Sequence, residues 1–432
     1  MNRRRFLTKA AAGLSGAGLG ALVVPRWSHA APPSEQIVMG HIGVGGMGSG
    51  HVDWFLGSPQ ARVVAICDVD EGNAKRNVQK VHDRYKNTEC TGYRDFRQVL
   101  DRTDIDAIST ATPDHWRAMI VTHAFMAGKD VYAEKPLCHN YLEAQAMLRL
   151  GTRYKCVYQL GTQIHAGENY HRVVELVRSG ILGKIHTLRV WSSGGAPAIQ
   201  PTPAAKVPEG FDYDLWLGPA PWRPYDPGHT HFRFRYFLDF SCGHYADFWC
   251  HISDIGFWAA DIKTTPKTIT ARGALQDQGI SDAPRTIDVD LEFPDGLKYY
   301  WTSSTPQTPE NCGWGMACTF YGTEGALTCN YGERVVFLRG EKLRDIESVP
   351  KTLPRSPGHH VNFLECVKTR QLTESNLPYA VNMTTPMFFG RISLLCGGRT
   401  LHWDESKKQF TGDDEANRLL GRVYRQPWTL PA

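Results

Sequence analysis

Two rhythms of apolar and polar residues run along the chain. Before residue 160, short apolar runs alternate with longer amphipathic ones. Residues 36–42, 62–67, 105–110, 131–133 and 156–160 have strand length and little polarity, as expected of strands buried on both faces. Between them, 47–56, 116–127 and 139–150 read as helices, and 93–100 as a short helix after a brief strand. This alternation predicts a doubly wound parallel sheet, an α/β Rossmann arrangement. Beyond 160 the rhythm changes. Residues 183–192, 267–275, 286–293, 297–303, 317–322 and 326–331 read as strands, with Asp295-Gly296 and Glu324-Gly325 marking two turns. Residues 243–254, 361–368 and 384–396 read as helices, and the Pro-, Ala- and Gly-rich stretch 194–210 as a loop near a site entrance. The pattern gives three expected segments: a leader at 1–30, a nucleotide-binding domain at 31–160 and an α+β domain at 161–432.

The leader rests on residue order. Arg3-Arg4-Arg5-Phe6-Leu7 is a twin-arginine pattern, followed by a mildly apolar run over 10–24 and the small-x-small site Ser28-His29-Ala30. The run is too short and glycine-rich to span a membrane. Twin-arginine export carries folded proteins, so periplasmic or other exported placement is expected. The whole chain carries a formal charge of +4. Without the five basic leader residues the mature chain is close to neutral, which leaves no basis for a nucleic-acid partner. The eleven cysteines include no C-x-x-C pair and are expected to be buried thiols rather than a zinc or redox site.

The first chemical signal follows the first strand. Gly43-Val44-Gly45-Gly46-Met47-Gly48 matches G-x-G-x-x-G and opens a helix. The first glycine permits the turn, the second lets backbone approach a pyrophosphate, and the third lets helix and strand pack. Asp68 ends the second strand twenty residues beyond Gly48, where an acid binds the adenosine ribose and repels a 2′-phosphate. NAD is therefore expected over NADP.

The second signal is Glu134-Lys135-Pro136, after the strand around 131–133. The proline stiffens the turn, which holds Lys135 at the mouth of the crevice where an ammonium can stabilise a developing alkoxide. With GVGGMG, Ile66-Cys67-Asp68, Ala111-Thr112-Pro113-Asp114-His115 and Gly180-Ile-Leu-Gly-Lys184, this motif makes the chain resemble the glucose–fructose oxidoreductase/inositol dehydrogenase (Gfo/Idh/MocA) family. The resemblance implies a C-terminal domain with a large, mainly antiparallel open sheet and a nicotinamide at the domain boundary. It also implies cofactor contacts from Thr112, Pro113, His115, Glu134 and Lys135, and a homo-oligomer formed through the open sheet face.

A third cluster lies on the helix-like stretch 243–254. Asp247 and His251 are four apart and share a face, which His244 and Asp254 are expected to extend. By resemblance, Asp247 and His251 are the catalytic pair opposite Lys135. A histidine suits removal of a hydroxyl proton, with Asp247 orienting the imidazole or binding a neighbouring hydroxyl. The competing uses are a hydrogen-bonded structural stripe or a zinc site from His244, Asp247 and His251. His165, His171, His359 and His360 are further candidates for the crevice wall. The aromatic segment 216–225 suits either sugar stacking or cover for the sheet. These signals point to an exported oxidoreductase that holds NAD tightly and moves hydride to and from a small carbohydrate. The alternatives are an NAD-dependent glycosidase working by transient C3 oxidation and elimination, and a non-catalytic sugar-binding protein.

Overall fold

A computed structural model describes residues 36–431; the expected twin-arginine leader at 1–30 lies outside them. The first half builds a parallel sheet from β1 (Ile37–Ile42), β2 (Ala61–Cys67), β3 (Thr91–Tyr93), β4 (Ala107–Thr110), β5 (Asp130–Glu134) and β6 (Tyr158–Gly161). The order is β3-β2-β1-β4-β5-β6, and every neighbouring pair is parallel. The order switches direction between β1 and β4, which opens a ligand crevice beyond their carboxyl ends. Helices α1 (Met47–Gly57), α2 (Glu71–Tyr85), α3 (Phe96–Leu100), α4 (Asp114–Met126) and α5 (Tyr141–Tyr154) connect the strands. The apolar pattern does not reveal α2. Its buried face is Asn73, Ala74, Asn77 and Val81, half of it polar, and its start is fixed by the Asp70 carboxylate, which accepts the Gly72 and Asn73 N–H groups.

The second half builds one ten-stranded sheet. Its strands are β7 (Ile185–Ser192), β8 (Thr268–Leu275), β9 (Pro284–Glu292), β10 (Lys298–Thr302), β11 (Met316–Gly322), β12 (Gly325–Cys329), β13 (Arg334–Leu338), β14 (Glu341–Leu343), β15 (Leu401–Asp404) and β16 (Gln409–Phe410). They run in the order β14-β13-β12-β11-β7-β10-β9-β8-β15-β16. All pairs are antiparallel except β7 with β10. The six strands expected from alternation are present. The short edge strands β13 to β16 lacked a run long enough to show a period.

Helices α6 (Glu168–Arg178), α7 (Tyr213–Leu217), α8 (Gly243–Ala259), α9 (His359–Thr369) and α10 (Leu377–Leu395) complete this half. α8 packs on the inner face of the sheet, where a Cβ on Gly256 would meet Leu188 at 3.1 Å and Tyr299 at 3.6 Å. α9 returns to the first sheet: Phe363, Leu364 and Val367 join Ile37, Met39, Phe55 and Tyr132 in one apolar cluster. The last third of the chain thus seals the face of the first sheet that α1 covers. Among the described residues, no helix is long and apolar enough to cross a membrane.

Candidate active site

The glycine loop is built by close approach. Gly43 has φ +77°, and a Cβ there would press on Thr112 at 2.8 Å. A Cβ on Gly48 would lie 1.9 Å from the Gly43 carbonyl oxygen, so the third glycine serves helix–strand packing rather than the cavity wall. Gly46 differs: a Cβ there would meet no protein atom within 4 Å. The N–H groups of Gly45, Gly46 and Met47 donate to no acceptor among the described residues. They stand at the start of an eleven-residue helix, the arrangement that binds pyrophosphate. Asp68 stands beside them and accepts the Val44 N–H at 2.7 Å and the Asp70 N–H at 2.9 Å. Burial raises its pKa, and these hydrogen bonds oppose the rise.

A cavity of about 510 Å³ runs from this loop to the carboxyl end of β5, lined by Gly43, Gly45, Gly46, Met47, Asp68, Thr112, Pro113, Glu134, Lys135 and Asp247 among others. Open glycine backbone, free N–H groups, an acid at the far end and an apolar wall of Ile42, Ile120 and Trp216 fit a dinucleotide. Nine of the sequence-derived site residues for the cofactor therefore face one space, together with Asp247.

At the β5 end of the cavity, Lys135 Nζ lies 2.5 Å from Asp247 Oδ1, with side chains only 9% and 14% exposed. Arg235 approaches the other Asp247 oxygen, Nε to Oδ2 at 3.3 Å, and its guanidinium stacks on Phe232 and Phe234. Burial would raise the Asp247 pKa, but the Lys135 and Arg235 charges outweigh it and hold the carboxyl below its usual value. Two turns are tied together by buried Arg117, which donates to the Thr112 carbonyl at 2.5 Å and to the Pro136 carbonyl. Behind Lys135, burial works against ionisation of Glu134. Hydrogen bonds from His51 and Gln163 and the nearby cationic charge overcome it and hold its pKa at about 2.

His251 sits one turn beyond Asp247 but outside the cavity lining, and it is oriented differently than expected. Its Nδ1 pairs with the Tyr331 hydroxyl, and Asp247 makes no hydrogen bond to it, being engaged by Lys135 and Arg235. Burial first, and the Lys135 charge second, lower the His251 pKa to about 4, so the ring is neutral near pH 7. Tyr331, in the turn after β12, replaces the aspartate as the group that sets the imidazole.

Several other expectations are corrected. His115 does not reach the cavity: it is buried, its Nε2 bonds to the Trp216 carbonyl at 3.0 Å, and Trp116 and Arg117 take the wall position instead. His244 and Asp254 do not extend the Asp247 face into the cavity. His244 Nε2 bonds to Ser192 Oγ at 3.0 Å, while Asp254 is fully buried against His165 Nδ1 at 2.9 Å and the Tyr379 hydroxyl at 2.6 Å. None of His165, His171, His359 and His360 lines the cavity. The 194–210 stretch is a loop whose end lies beside the site, with the Gly210 carbonyl accepting the Glu71 N–H at 2.9 Å; the wall itself is made by His231, Phe232, Phe234 and Arg235. Trp216 is both wall and cover, packed among Tyr213, Phe237 and Phe240. All eleven cysteines are free thiols, and among the described residues no group of three His, Cys, Asp or Glu side chains is placed to hold a metal.

The sequence reading did not find Arg235, Arg117, Tyr331 or His51. Arg235 lies in the aromatic run Phe232-Arg233-Phe234-Arg235-Tyr236, whose cation–aromatic alternation was the available signal. Tyr331 lies eighty residues from its partner, and no local pattern could join the two.

Comparison with known proteins agrees with this architecture. Residues 37–162 match the family model described as oxidoreductase family, NAD-binding Rossmann fold, and residues 171–430 match the oxidoreductase family, C-terminal alpha/beta domain. A glycosyl hydrolase family 109 protein of Shewanella pealeana is 29% identical over 204 residues, 43% of this chain and 44% of that protein. An alpha-N-acetylgalactosaminidase of Shewanella oneidensis is 28% identical over 158 residues, 36% of this chain and 34% of that one. The chain thus matches less than half the length of these relatives. Among solved structures, the WlbA dehydrogenase of Bordetella pertussis in complex with NADH and UDP-GlcNAcA shares the fold with TM-score 0.61 at 15% identity, covering 85% of this chain and 99% of that one. The aldose-aldose oxidoreductase of Caulobacter crescentus does so with TM-score 0.61 at 14% identity, covering 85% and 99%. With both domains matched in order across nearly all the described residues, the chain belongs to the Gfo/Idh/MocA oxidoreductase family.

Proposed function

We propose that the protein is an exported oxidoreductase that keeps NAD bound and moves hydride between it and a hydroxyl-bearing carbon of a sugar or sugar derivative. One observation carries the reading: the Lys135 ammonium and Asp247 carboxylate meet 2.5 Å apart in the cavity that the glycine loop and Asp68 also line. The bound dinucleotide supplies the hydride acceptor. Lys135 holds the reacting hydroxyl and stabilises the alkoxide as its proton leaves. His251, neutral at working pH, accepts that proton at Nε2 when its Nδ1–H donates to the Tyr331 oxygen. Asp247, kept ionised, fixes Lys135 and Arg235 and is placed to take a neighbouring sugar hydroxyl. Phe232 and Phe234 offer rings for stacking. Asp68 favours NAD over NADP by repelling a 2′-phosphate. The twin-arginine pattern supports export, and retention of NAD follows from it, because no free pool outside the cytoplasm would recycle the cofactor. Association of copies through the open sheet face is part of the same reading.

The test is to denature the purified protein and quantify released nicotinamide nucleotide. Close to one per chain supports the reading; none defeats it. The similarity to glycosyl hydrolase family 109 proteins favours a second reading, in which the same groups oxidise C3, eliminate the aglycone and reduce the product with no net redox change. p-Nitrophenyl N-acetyl-α-D-galactosaminide without added acceptor separates the two: nitrophenol release supports cleavage, and acceptor-dependent ketosugar formation supports the oxidoreductase.

A further inference from the structure

The Glu-Lys-Pro turn is backed by a line of imidazoles that the chemistry above does not use. Glu134 Oε1 accepts from His51 Nε2 at 2.9 Å, and His51 Nδ1 meets His360 Nε2 at 3.2 Å. His51 comes from α1, Glu134 from β5 and His360 from α9, so three elements converge to make the line. Glu134 faces the cavity at one end. At the other end His360 is half-buried, stacked between Trp54 at 4.3 Å and Tyr132 at 4.8 Å, and its Nδ1 has no hydrogen bond among the described residues. The neighbouring titratable groups are occupied elsewhere: His41 Nδ1 on Ser109 at 2.6 Å and His359 Nε2 on the Leu160 carbonyl at 2.9 Å. Tyr132 accepts from Gln163 at 3.0 Å.

With both rings neutral, the hydrogen-bond direction in this line is forced. An ionised carboxylate only accepts, so His51 Nε2 carries its proton toward Glu134. In the neutral ring Nδ1 then accepts, and His360 Nε2 must donate to it. That leaves the His360 Nδ1 lone pair toward the outside. We propose that Glu134, His51 and His360 form a proton relay between the active-site cavity and the surface beside α9. A proton arriving at His360 Nδ1 pushes the Nε2 proton to His51 Nδ1, and the His51 Nε2 proton passes to Glu134 and on to the cavity. Both rings are left in their other tautomers, ready to carry one proton outward. One inward and one outward passage restore the line. Oxidation of one alcohol releases one proton and reduction of one carbonyl consumes one, so the relay matches a bound cofactor that is reduced and reoxidised in turn. Its purpose rests on the hydride-transfer reading; its existence does not.

The test therefore uses no sugar. In ¹⁵N-histidine-labelled full-length protein, the His51 Nε2–H signal is assigned by its loss in His51→Gln, and its exchange with solvent is measured in wild type and in His360→Gln. A relay through His360 makes exchange slower in the variant, by about tenfold or more, because the route to the surface is cut. A purely structural His360 gives the opposite result, since loosening its packing speeds exchange. Equal rates overturn the relay as well. If the variant does not fold, the wild-type rate at fixed pH decides: a rise with imidazole concentration supports the relay, and independence from imidazole overturns it. NAD release on denaturation is scored separately, so a failed relay and a failed oxidoreductase reading are distinguishable.

Discussion

Lys135 and Asp247 come from opposite halves of the chain, 112 residues apart, and their charged atoms meet at 2.5 Å. Neither is the other's neighbour in any element: Lys135 follows β5 and Asp247 lies in the first turns of α8. The contact is made by docking α8 over the carboxyl edge of the parallel sheet, and in the proposed function it defines where a hydroxyl reacts.

Lys135→Ala removes the cation that steadies an alkoxide. Turnover per bound cofactor should fall by roughly 10²–10³-fold, the loss typical of one preorganised electrostatic group. Asp247→Asn keeps the shape but leaves Lys135 and Arg235 without their shared anion. A smaller loss of turnover is expected. Rates measured beside cofactor content check both; wild-type turnover per bound cofactor in Lys135→Ala would contradict the assignment.

The glycines make opposite predictions. Gly46→Ala adds a methyl that meets no protein atom within 4 Å, so thermal stability of the cofactor-free protein should hold while dinucleotide affinity drops by about tenfold or more, since the loop backbone can no longer approach the phosphates. Gly48→Ala places a Cβ 1.9 Å from the Gly43 oxygen, so stability and affinity should fall together. Melting curves with and without NAD read both.

Tyr331→Phe deletes the hydroxyl that faces His251 Nδ1. Activity should fall by about tenfold with little change in fold, less than the roughly 10²–10⁴-fold contribution of an acid–base group itself. In wild type the imidazole pKa is held down to about 4, so the basic form is already complete at pH 6 and the acid limb of the rate profile should lie near pH 4 rather than 6.5. A limb at 6.5 would mean that another group titrates.

Acid should also destabilise the fold. His41, His115 and His360 have pKa values lowered to about 3, chiefly by burial. Between the unfolded value near 6.5 and these folded values, the unfolded chain binds more protons, so stability is full above pH 6.5 and is lost as pH falls. At pH 5 each such ring costs about 2 kcal/mol. Cofactor-free protein should melt several degrees lower at pH 5 than at pH 7; equal melting temperatures would contradict the burial of these rings.

Much of the fold and of the candidate site is legible in the sequence. The parallel sheet is readable because its strands other than the edge strand β3 are buried on both faces, and Gly43 to Gly48 with Asp68 act through backbone geometry that local sequence encodes. What escaped was non-local. His115 sits in a motif of site residues, yet its ring turns to the Trp216 carbonyl across 101 residues. Asp247 and His251 share a helical face, but which neighbour claims each depends on Lys135, Arg235 and Tyr331 arriving from other elements. α2 was hidden because Asn73 and Asn77 occupy its buried face, and Asn77 does so by donating to the Val44 carbonyl at 2.9 Å.

The most direct measurement is a crystal structure of the protein with its retained cofactor. The account expects density for a dinucleotide from the Gly43–Gly48 loop to Lys135, with the nicotinamide ring between Lys135 and His251. A nicotinamide ring lying away from both side chains, or a cleft filled by the protein's own side chains, would contradict it.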